Sequence, residues 1–334
     1  MTMGQPVFSV VMPAYNAAAS VARAIASVRA QSVTDWELIV IDDCSTDDTA
    51  AVVTELLADV ADDRVQLVRQ PTNSGVAVAR NVGVERARGQ FVTFLDSDDE
   101  YLPAHLATLA AAFGPEVDAV VGGREVVRPD GSATPAASRR IGTFTGEEAV
   151  RAAMLDGLTP FPWDKAFRRA LFDSVRFPEG VARFEDMMTN IVLYSHARQV
   201  VALDTPTYRY YISGGSLTWG SVPTPADTAA VWEYLDGSLR PELRTGPYEA
   251  PYRTMRTLVS LLVAQSAIAQ GRDTAAVRSS VRQCRDEISL RDVSATLRSE
   301  PRLGLAAVLL RALPDVYGWL YRRHVRKSFG VAAG

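Results

Sequence analysis

Short apolar runs alternate with segments of helical spacing over the first 121 residues, and this alternation constrains the fold more than any other feature of the chain. We predict strands at residues 7–12, 36–41, 65–68, 91–95 and 117–121, and helices at residues 17–30, 46–58, 76–87 and 103–113. Strands that alternate with helices pair in parallel, because each crossover helix returns the chain to the same end of the sheet. The predicted fold class is α/β, with a mostly parallel sheet flanked by helices.

The pattern is less regular after Gly122, and it becomes helical after a Pro-rich stretch at residues 219–225. Further helices are predicted at residues 185–196, 226–239, 248–270, 273–288 and 303–326, the last of them kinked or broken at Pro314, and a further strand at residues 200–211. We place the domain boundary in the Pro-rich stretch. The predicted domains are residues 1–220, with halves at 1–121 and 122–220, and a C-terminal helical region at 221–334.

Composition narrows the partners and the compartment. The net charge of −4 over 334 residues gives no general attraction to nucleic acid, so no nucleic-acid partner is expected. The two cysteines, Cys44 and Cys284, lie far apart and have no zinc-ligand spacing. The first residues show no basic stretch followed by an apolar segment, and no window reaches 18 uninterrupted apolar residues. We therefore expect a cytoplasmic protein.

Polar residues follow each of the first four predicted strands, at residues 13–16, 42–47, 73–75 and 96–99. The carboxyl ends of parallel strands meet at one edge of a sheet, so these four clusters predict one composite site. The last cluster carries Asp96, Asp98 and Asp99 directly after a buried strand. Clustered carboxylates repel one another unless a cation or proton lies among them, and their oxygens suit Mg²⁺ or Mn²⁺. The alternative is an acidic turn that caps the next helix.

These clusters, together with two later ones, resemble the motifs of the family 2 glycosyltransferases, inverting enzymes with a GT-A nucleotide-sugar-binding fold. The resemblance covers about the first 220 residues. It rests on the order and spacing of Val10-Val11-Met12-Pro13-Ala14-Tyr15-Asn16, Asp42-Asp43-Cys44-Ser45-Thr46-Asp47, Asn73-Ser74-Gly75 with Ala79-Arg80-Asn81-Val82-Gly83, Phe94-Leu95-Asp96-Ser97-Asp98-Asp99, Trp163-Asp164-Lys165 and Phe184-Glu185-Asp186. The first half of the domain would then bind the donor and the second half the acceptor.

The resemblance implies a nucleotide-sugar donor, and UDP is the nucleotide that we expect. A uracil ring needs a carboxylate acceptor and a flat packing partner, which Asp42 and Tyr15 supply. Asp98 is the predicted metal ligand, holding Mn²⁺ or Mg²⁺ against the two phosphates. The remaining predicted donor contacts are Pro13, Ala14, Asn16, Asn73, Gly75, Arg80, Asp96 and Ser97. The alternatives are a strand-end packing role for Tyr15 and an ordinary solvated charge for Arg80.

In the resembling family the base is the Asp of a Glu-Asp pair, which here is Asp186, with Glu185 orienting the acceptor. Inverting transfer requires such a base, because the acceptor hydroxyl loses its proton as it attacks the sugar. Both acids also suit the first turn of a helix, where they would complement its dipole. Trp163 and Lys165 are predicted acceptor contacts, an exposed indole stacking on a sugar and a cation near it; the alternatives are a buried Trp and a surface charge.

The sequence thus predicts a metal-dependent inverting glycosyltransferase that moves a sugar to a hydroxyl of a glycan or lipid-linked acceptor in cell-surface polysaccharide or glycoconjugate synthesis. Two alternatives are a sugar nucleotidyltransferase, which would need a Gly-rich basic loop in place of residues 13–16, and a catalytically silent nucleotide-sugar-binding partner.

The end of the chain carries seven basic and two acidic residues from Arg298 onward, with abundant apolar residues among them. A helix of this composition can lie at the inner face of a membrane as a peripheral contact, pack on the other C-terminal helices, or pack on a second subunit in a homo-oligomer.

Overall fold

A computed structural model describes residues 6–60, 62–181, 183–212, 225–269 and 274–329. The chain divides into two compact units, residues 1–153 with 157–213, and residues 154–156 with 214–334. The boundary that we predict at residues 220 and 221 lies outside the described residues.

The first unit is built on one ten-stranded sheet of the described residues. Its strands are β1 (Phe8–Ala14), β2 (Trp36–Asp42), β3 (Val65–Arg69), β4 (Phe91–Phe94), β5 (Glu100–Tyr101), β6 (Val117–Val127), β7 (Ala133–Ala136), β8 (Gly142–Thr145), β9 (Lys165–Arg168) and β10 (Gln199–Tyr211). Their order is β3-β2-β1-β4-β9-β6-β10-β5, with β7 paired to β6 and β8 paired to β10. The helices are α1 (Val21–Arg29), α2 (Thr49–Val60), α3 (Val76–Arg86), α4 (His105–Ala112), α5 (Gly146–Met154) and α6 (Glu185–His196).

The strands β3, β2, β1 and β4 form the parallel part of the sheet, as the alternating sequence pattern predicts. Every residue of β1 and β2 is buried, which explains why both strands are apolar apart from Ser9 in β1 and Glu37 and Asp42 in β2. Helix α3 packs closely on β1, since a Cβ atom on Gly83 would overlap the side chain of Val11. A glycine is therefore needed at this point of helix–sheet contact.

Strand β9 separates the parallel part from the rest of the sheet. It lies between β4 and β6 and runs antiparallel to both. No strand is predicted here from the sequence, because Lys165 and Arg168 place charged residues at both ends of a run of only four residues. The mostly parallel arrangement that we predict is therefore correct as far as β4, and the sheet is mixed beyond it, where β6 and β10 pair in parallel while β5, β7 and β8 add antiparallel pairs.

The second unit is helical, as predicted. Its helices are α7 (Pro225–Ser238), α8 (Glu249–Ala269), α9 (Ala275–Glu287), α10 (Leu290–Ser299), α11 (Pro301–Ala312) and α12 (Pro314–Phe329). The predicted break at Pro314 is confirmed, because α12 begins there. Helix α10 was not predicted, although its capping box is visible in the sequence: Asp292 N–H donates to Ser289 Oγ, and Ser289 N–H donates to the Asp292 carboxylate. No helix within the described residues is both long and apolar enough to cross a membrane.

Candidate active site

The loops that follow β1 and β2 are joined by Asn16. Its Oδ1 accepts a hydrogen bond from the N–H of Thr46 at 2.8 Å, and its own N–H donates to Ser45 Oγ at 3.0 Å. Asn16 also has a φ of 51°, a left-handed conformation that Asn tolerates better than most residues. The sequence predicts that Asn16 contacts the donor. In the structure, the Asn16 side chain holds the first two loops together.

The loops that follow β2 and β3 are joined by Asp43. Its Oδ1 accepts from the N–H of Ser74 at 2.8 Å, and its Oδ2 accepts from the N–H of Gly75 at 2.8 Å. Gln70 Nε2 also donates to Oδ1, at 2.8 Å. Asp43 lies within the motif at residues 42–47, but no role is predicted for it from the sequence. The backbone of the third loop is thus fixed by a carboxylate of the second.

Asp42 lies at the end of β2 with a fully buried side chain. Its Oδ1 accepts from the N–H of Ser45 at 3.1 Å, and its Oδ2 lies 3.2 Å from the Nε of Arg69. The Arg69 side chain is 64% exposed, so its contact with Asp42 can exchange for another donor more readily than the backbone contact can.

The other residues predicted near the nucleoside divide by exposure. Tyr15 is 48% exposed, which makes its ring available to a planar ligand, and Ser97 is half-buried. The strand residues Pro13 and Ala14 are buried, and the Ala14 carbonyl accepts from the N–H of Asp43 at 2.9 Å. Asn73 and Gly75 are exposed.

Arg80 is the centre of an ionic cluster that joins three elements. Its side chain is only 3% exposed; Nη2 lies 3.3 Å from the Asp96 carboxylate and Nη1 lies 3.6 Å from that of Glu185, while Nη1 also donates to the Asp186 carboxylate. Asp96 follows β4, and the other two acids begin α6. The solvated surface charge that we considered for Arg80 is therefore wrong, because the guanidinium is buried among three carboxylates.

Two local features place the acidic pair against α3. Asn81, next to Arg80, donates through Nδ2 to the Phe177 carbonyl and accepts through Oδ1 from the Phe177 N–H, both at 2.9 Å. Phe184, immediately before α6, has a φ of 64°, so the chain turns sharply there. Glu185 and Asp186 therefore enter the site in the first turn of a helix.

The pKa of Asp186 reflects this crowding. Burial raises the pKa of its carboxyl well above the ordinary value of 3.8; the Arg80 guanidinium opposes this rise, and the carboxylates of Glu185 and Asp96 add to it. Burial by itself lowers the pKa of Arg80, but the three carboxylates outweigh it and raise that pKa above its ordinary value. One positive charge cannot compensate three negative ones, so Asp186 is a stronger base than an exposed carboxylate.

The acids after β4 repel one another. Burial and then the Asp96 carboxylate raise the pKa of Asp98, and burial with both neighbouring acids raises the pKa of Asp99 well above its ordinary value. A cation at this point would favour all three charged forms, so the donor set fits a divalent metal. The described residues contain no group of three or more His, Cys, Asp or Glu side chains arranged to hold a metal by themselves. The site therefore fits a cation that is held by one or two of these carboxylates together with the phosphates of the donor.

Asp99 belongs to the acidic cluster after β4, but no separate role is predicted for it from the sequence. Its Oδ2 accepts from the hydroxyl of Tyr208 at 2.8 Å, and its Oδ1 accepts from the N–H of Tyr211 at 2.8 Å. The same Tyr208 hydroxyl accepts from the N–H of Asp96 at 3.2 Å. The acidic loop and the end of β10 therefore form one hydrogen-bonded unit.

Four strand-end loops, α3 and the start of α6 thus form one site, as their sequence spacing predicts. A sequence model of glycosyl transferase family 2 matches residues 9–176. The chain belongs to this family. The residues that match the family model include every strand-end loop of the site. The Glu185-Asp186 pair lies beyond these matched residues.

Curated relatives of the chain are named as glycosyltransferases. The chain is 45% identical over 101 residues to the putative teichuronic acid biosynthesis glycosyltransferase TuaG of Bacillus subtilis, covering 30% of the chain and 39% of TuaG. It is 34% identical over 175 residues to the GalNAc(5)-diNAcBac-PP-undecaprenol beta-1,3-glucosyltransferase of Campylobacter jejuni, covering 52% of the chain and 55% of that enzyme. The chain therefore spans less than two thirds of the length of these curated relatives.

The fold has a close solved counterpart. The crystal structure of S. aureus TarS 1-349 in complex with UDP-GlcNAc superposes with a TM-score of 0.67 at 21% identity, over 96% of this chain and 91% of that one. This similarity confirms the predicted GT-A fold with its C-terminal helical region.

The acceptor contacts predicted for this family 2 chain at Trp163 and Lys165 are corrected by the structure. Trp163 is 2% exposed and stacks between Phe161, at a centroid distance of 4.8 Å, and Tyr208, at 4.2 Å. Lys165 is fully buried, and its ammonium donates to Thr159 Oγ1 at 2.8 Å and to Asp164 Oδ1 at 2.5 Å. The sequence shows that Trp163 lies in a Pro-flanked aromatic segment, but it does not show that the sheet covers this segment. Both residues support the site from within the core.

Proposed function

We propose that the chain is an inverting glycosyltransferase that moves a sugar from a UDP-sugar to a hydroxyl of a glycan or lipid-linked acceptor. The observation that carries this proposal is the contact of Arg80 with Asp186. It places a carboxylate of raised pKa at the edge of the strand-end loops that would hold the donor.

The reaction needs one bond to form and one to break. The acceptor oxygen forms a bond to the anomeric carbon on one side, while the bond from that carbon to the diphosphate breaks on the other side. The acceptor oxygen supplies the electron pair of the new bond as Asp186 takes the hydroxyl proton, and UDP leaves with the electron pair of the broken bond. Arg80 orients Asp186 and favours its ionised form before the proton arrives. Glu185 lies in the same cluster, where it can orient the acceptor.

The donor end of the site would hold the nucleoside between Asp42 and Tyr15. Asp42 offers a buried carboxylate to the N–H of the ring, and Tyr15 offers an exposed aromatic face. The TarS structure contains UDP-GlcNAc, which supports UDP as the nucleotide for this chain.

Asp98, with Asp96 beside it, would hold Mn²⁺ or Mg²⁺. The metal would supply positive charge to the diphosphate as it leaves. Burial and then the Asp96 carboxylate raise the pKa of Asp98, and a bound cation would oppose both effects, which supports this assignment.

The acceptor class follows from the relatives. The C. jejuni relative is named for a PP-undecaprenol acceptor, and TuaG for teichuronic acid biosynthesis. We extend these classes to the present chain as a lipid-linked or polysaccharide acceptor used on the cytoplasmic side of the cell.

The test measures UDP release from a panel of UDP-sugars, with a lipid-linked glycan acceptor, in Mn²⁺ and in chelator. We expect Asp186→Asn to bind UDP as the wild type does, while transfer falls by about 10²-fold or more, the usual scale for loss of a general base. Asp173→Asn is the matched control, because Asp173 is exposed in the same unit; it should retain wild-type transfer. Near-normal transfer by Asp186→Asn with a dead Glu185→Gln would move the base to Glu185.

Two other results would replace the proposal. Pyrophosphate release from UTP and a sugar 1-phosphate would indicate a nucleotidyltransferase. UDP-sugar binding without turnover, with or without acceptor, would indicate a silent binding partner.

A further inference from the structure

Exposed apolar side chains of the described residues are concentrated on two consecutive helices. Nine large apolar side chains are exposed in the described chain, and six of them lie within 16 residues of α11 and α12 and the junction between them. We call these six the apolar stripe: Leu305 (59% exposed), Val308 (37%), Leu313 (52%), Val316 (43%), Trp319 (55%) and Leu320 (42%). Single exposed apolar residues are ordinary, whereas a contiguous series marks a surface that meets a partner.

The apolar stripe is a second apolar face of α11 and α12, separate from the face that packs into the core of the unit. Its members follow helical spacing within each helix, with Leu305 and Val308 at i and i+3 in α11, and Val316, Trp319 and Leu320 at i, i+3 and i+4 in α12. The opposite side of the same helices is buried through Leu310 and Tyr317. The Tyr317 hydroxyl also accepts a hydrogen bond from Gln265 Nε2 of α8, at 2.9 Å. The helices are therefore anchored in the second unit by one face and leave another apolar face in contact with water.

Positive charge accompanies the apolar stripe. Arg302, Arg322 and Arg323 are exposed, and the Arg323 guanidinium lies 5.7 Å from the centroid of the Trp319 ring. Asp315 is the single acidic residue between residues 301 and 323, although the whole chain has a net charge of −4. The stripe thus combines exposed Trp, Leu and Val with arginines, on a protein whose overall charge is negative.

We propose that the apolar stripe is a docking surface for an anionic lipid bilayer, on which α11 and α12 lie in the plane of the interface. Apolar side chains enter the boundary between headgroups and acyl chains, Trp prefers headgroup depth, and arginines attract anionic lipids. Charge complementarity selects this occupant over a second copy of the chain, because two copies would bring like charges together. The inference goes beyond the proposed transfer reaction and does not rest on it, since bilayer binding is measured without donor or acceptor.

The first test measures flotation of the full chain with vesicles of phosphatidylcholine alone and with 30 mol% phosphatidylglycerol. We expect binding to the anionic vesicles that weakens as salt is raised. Arg322→Gln with Arg323→Gln should lower the partition coefficient by about 25-fold, since each arginine near an anionic surface contributes about fivefold. Arg291→Gln, at another exposed arginine of the same unit, is the control and should bind as the wild type does.

The apolar contribution is tested with Leu320→Ser, which we expect to weaken binding by about tenfold or more, the scale for losing one buried leucine. Leu290→Ser is the matched control, because Leu290 is 74% exposed in the same unit but lies outside the stripe. Vesicles with brominated acyl chains should quench the fluorescence of Trp319, and Trp319→Phe should bind equally well while losing that quenching.

Other results would overturn the proposal. Equal partition of wild type and Leu320→Ser, or equal binding to neutral and anionic vesicles, would remove the bilayer as the occupant. A wild-type dimer that Leu320→Ser converts to a monomer, without vesicle binding by either, would assign the stripe to a second copy of the chain.

Discussion

Arg80 holds the acids of the site together, because its single guanidinium contacts carboxylates from the end of β4 and the start of α6. Asp96, Glu185 and Asp186 are all predicted site residues, and the structure brings their carboxylates together around Arg80. The sequence does not show that Arg80 faces these acids and not a phosphate, because that depends on how closely α6 approaches α3.

Replacement of Arg80 by Gln should destabilise the fold in a pH-dependent manner. Breaking a buried ion pair costs about 3 kcal/mol or more, since the partner charges are left without compensation. A carboxyl whose folded pKa is raised above its unfolded value contributes stability at low pH and loses it as the pH rises through the folded pKa. The loss measured by urea unfolding should therefore be larger at pH 8 than at pH 5.

The control for this variant is Arg198→Gln. Arg198 is half-exposed and pairs with Asp118, whose pKa is lowered chiefly by its hydrogen bonds and charge contact with Arg198, although burial opposes the shift. Asp118 stays ionised across pH 5 to 8, so this variant should show a smaller loss that is the same at both values. A loss for Arg80→Gln that is equal at pH 5 and pH 8 would contradict the role assigned to Arg80.

The pH profile of transfer tests Asp186 itself. A base must be ionised, and burial together with the neighbouring acids raises the pKa of Asp186. We expect kcat/KM to fall on the acid side, with a midpoint above the ordinary Asp value of 3.8. A steady-state profile between pH 4 and pH 9 gives this midpoint. A rate that does not change down to pH 4 would exclude a base of raised pKa.

At the scale of elements, α6 shows what local sequence determines, because its predicted range of residues 185–196 is also its observed range. Its boundaries are set by two acids in the first turn and by the change of pattern after His196. Strand β9 shows the opposite case, because its four residues become a strand only through pairing with β4 and β6 on either side. The burial of Lys165 follows from this pairing, which is why the sequence could not predict it.

The packing of α3 on β1 can be tested at Gly83. Ala at this position would overlap Val11, so we expect Gly83→Ala to destabilise the protein by about 1–3 kcal/mol, the usual cost of overpacking. Transfer should fall as well, since displacement of α3 moves Arg80. Gly237→Ala in α7 is the control, because a Cβ there meets nothing within 4 Å and Ala favours a helix. Thermal unfolding of both variants gives the comparison, and a Gly83→Ala protein as stable as the wild type would contradict the close packing.

At the scale of the whole molecule, donor binding should stabilise the folded state. At a UDP concentration about 100 times Kd in Mn²⁺, mass action adds about 2.7 kcal/mol and raises Tm by a few degrees. Asp98→Asn should retain a smaller shift that is the same in Mn²⁺ and in chelator, because the amide keeps the shape of the side chain but not its charge. Equal shifts for the wild type in metal and in chelator would contradict the metal assignment, and no shift with UDP would contradict the donor assignment.

The position of β9 affects the order in which the chain folds. During synthesis, the four parallel strands are complete once residue 94 has emerged, but Val92 acquires its neighbour Phe167 only much later. Until then, one side of β4 presents open backbone N–H and C=O groups, with which another nascent chain can pair. Insertion of β9 joins residues far apart in sequence, so we expect this step, and not formation of the parallel part, to limit the rate at which the first unit folds.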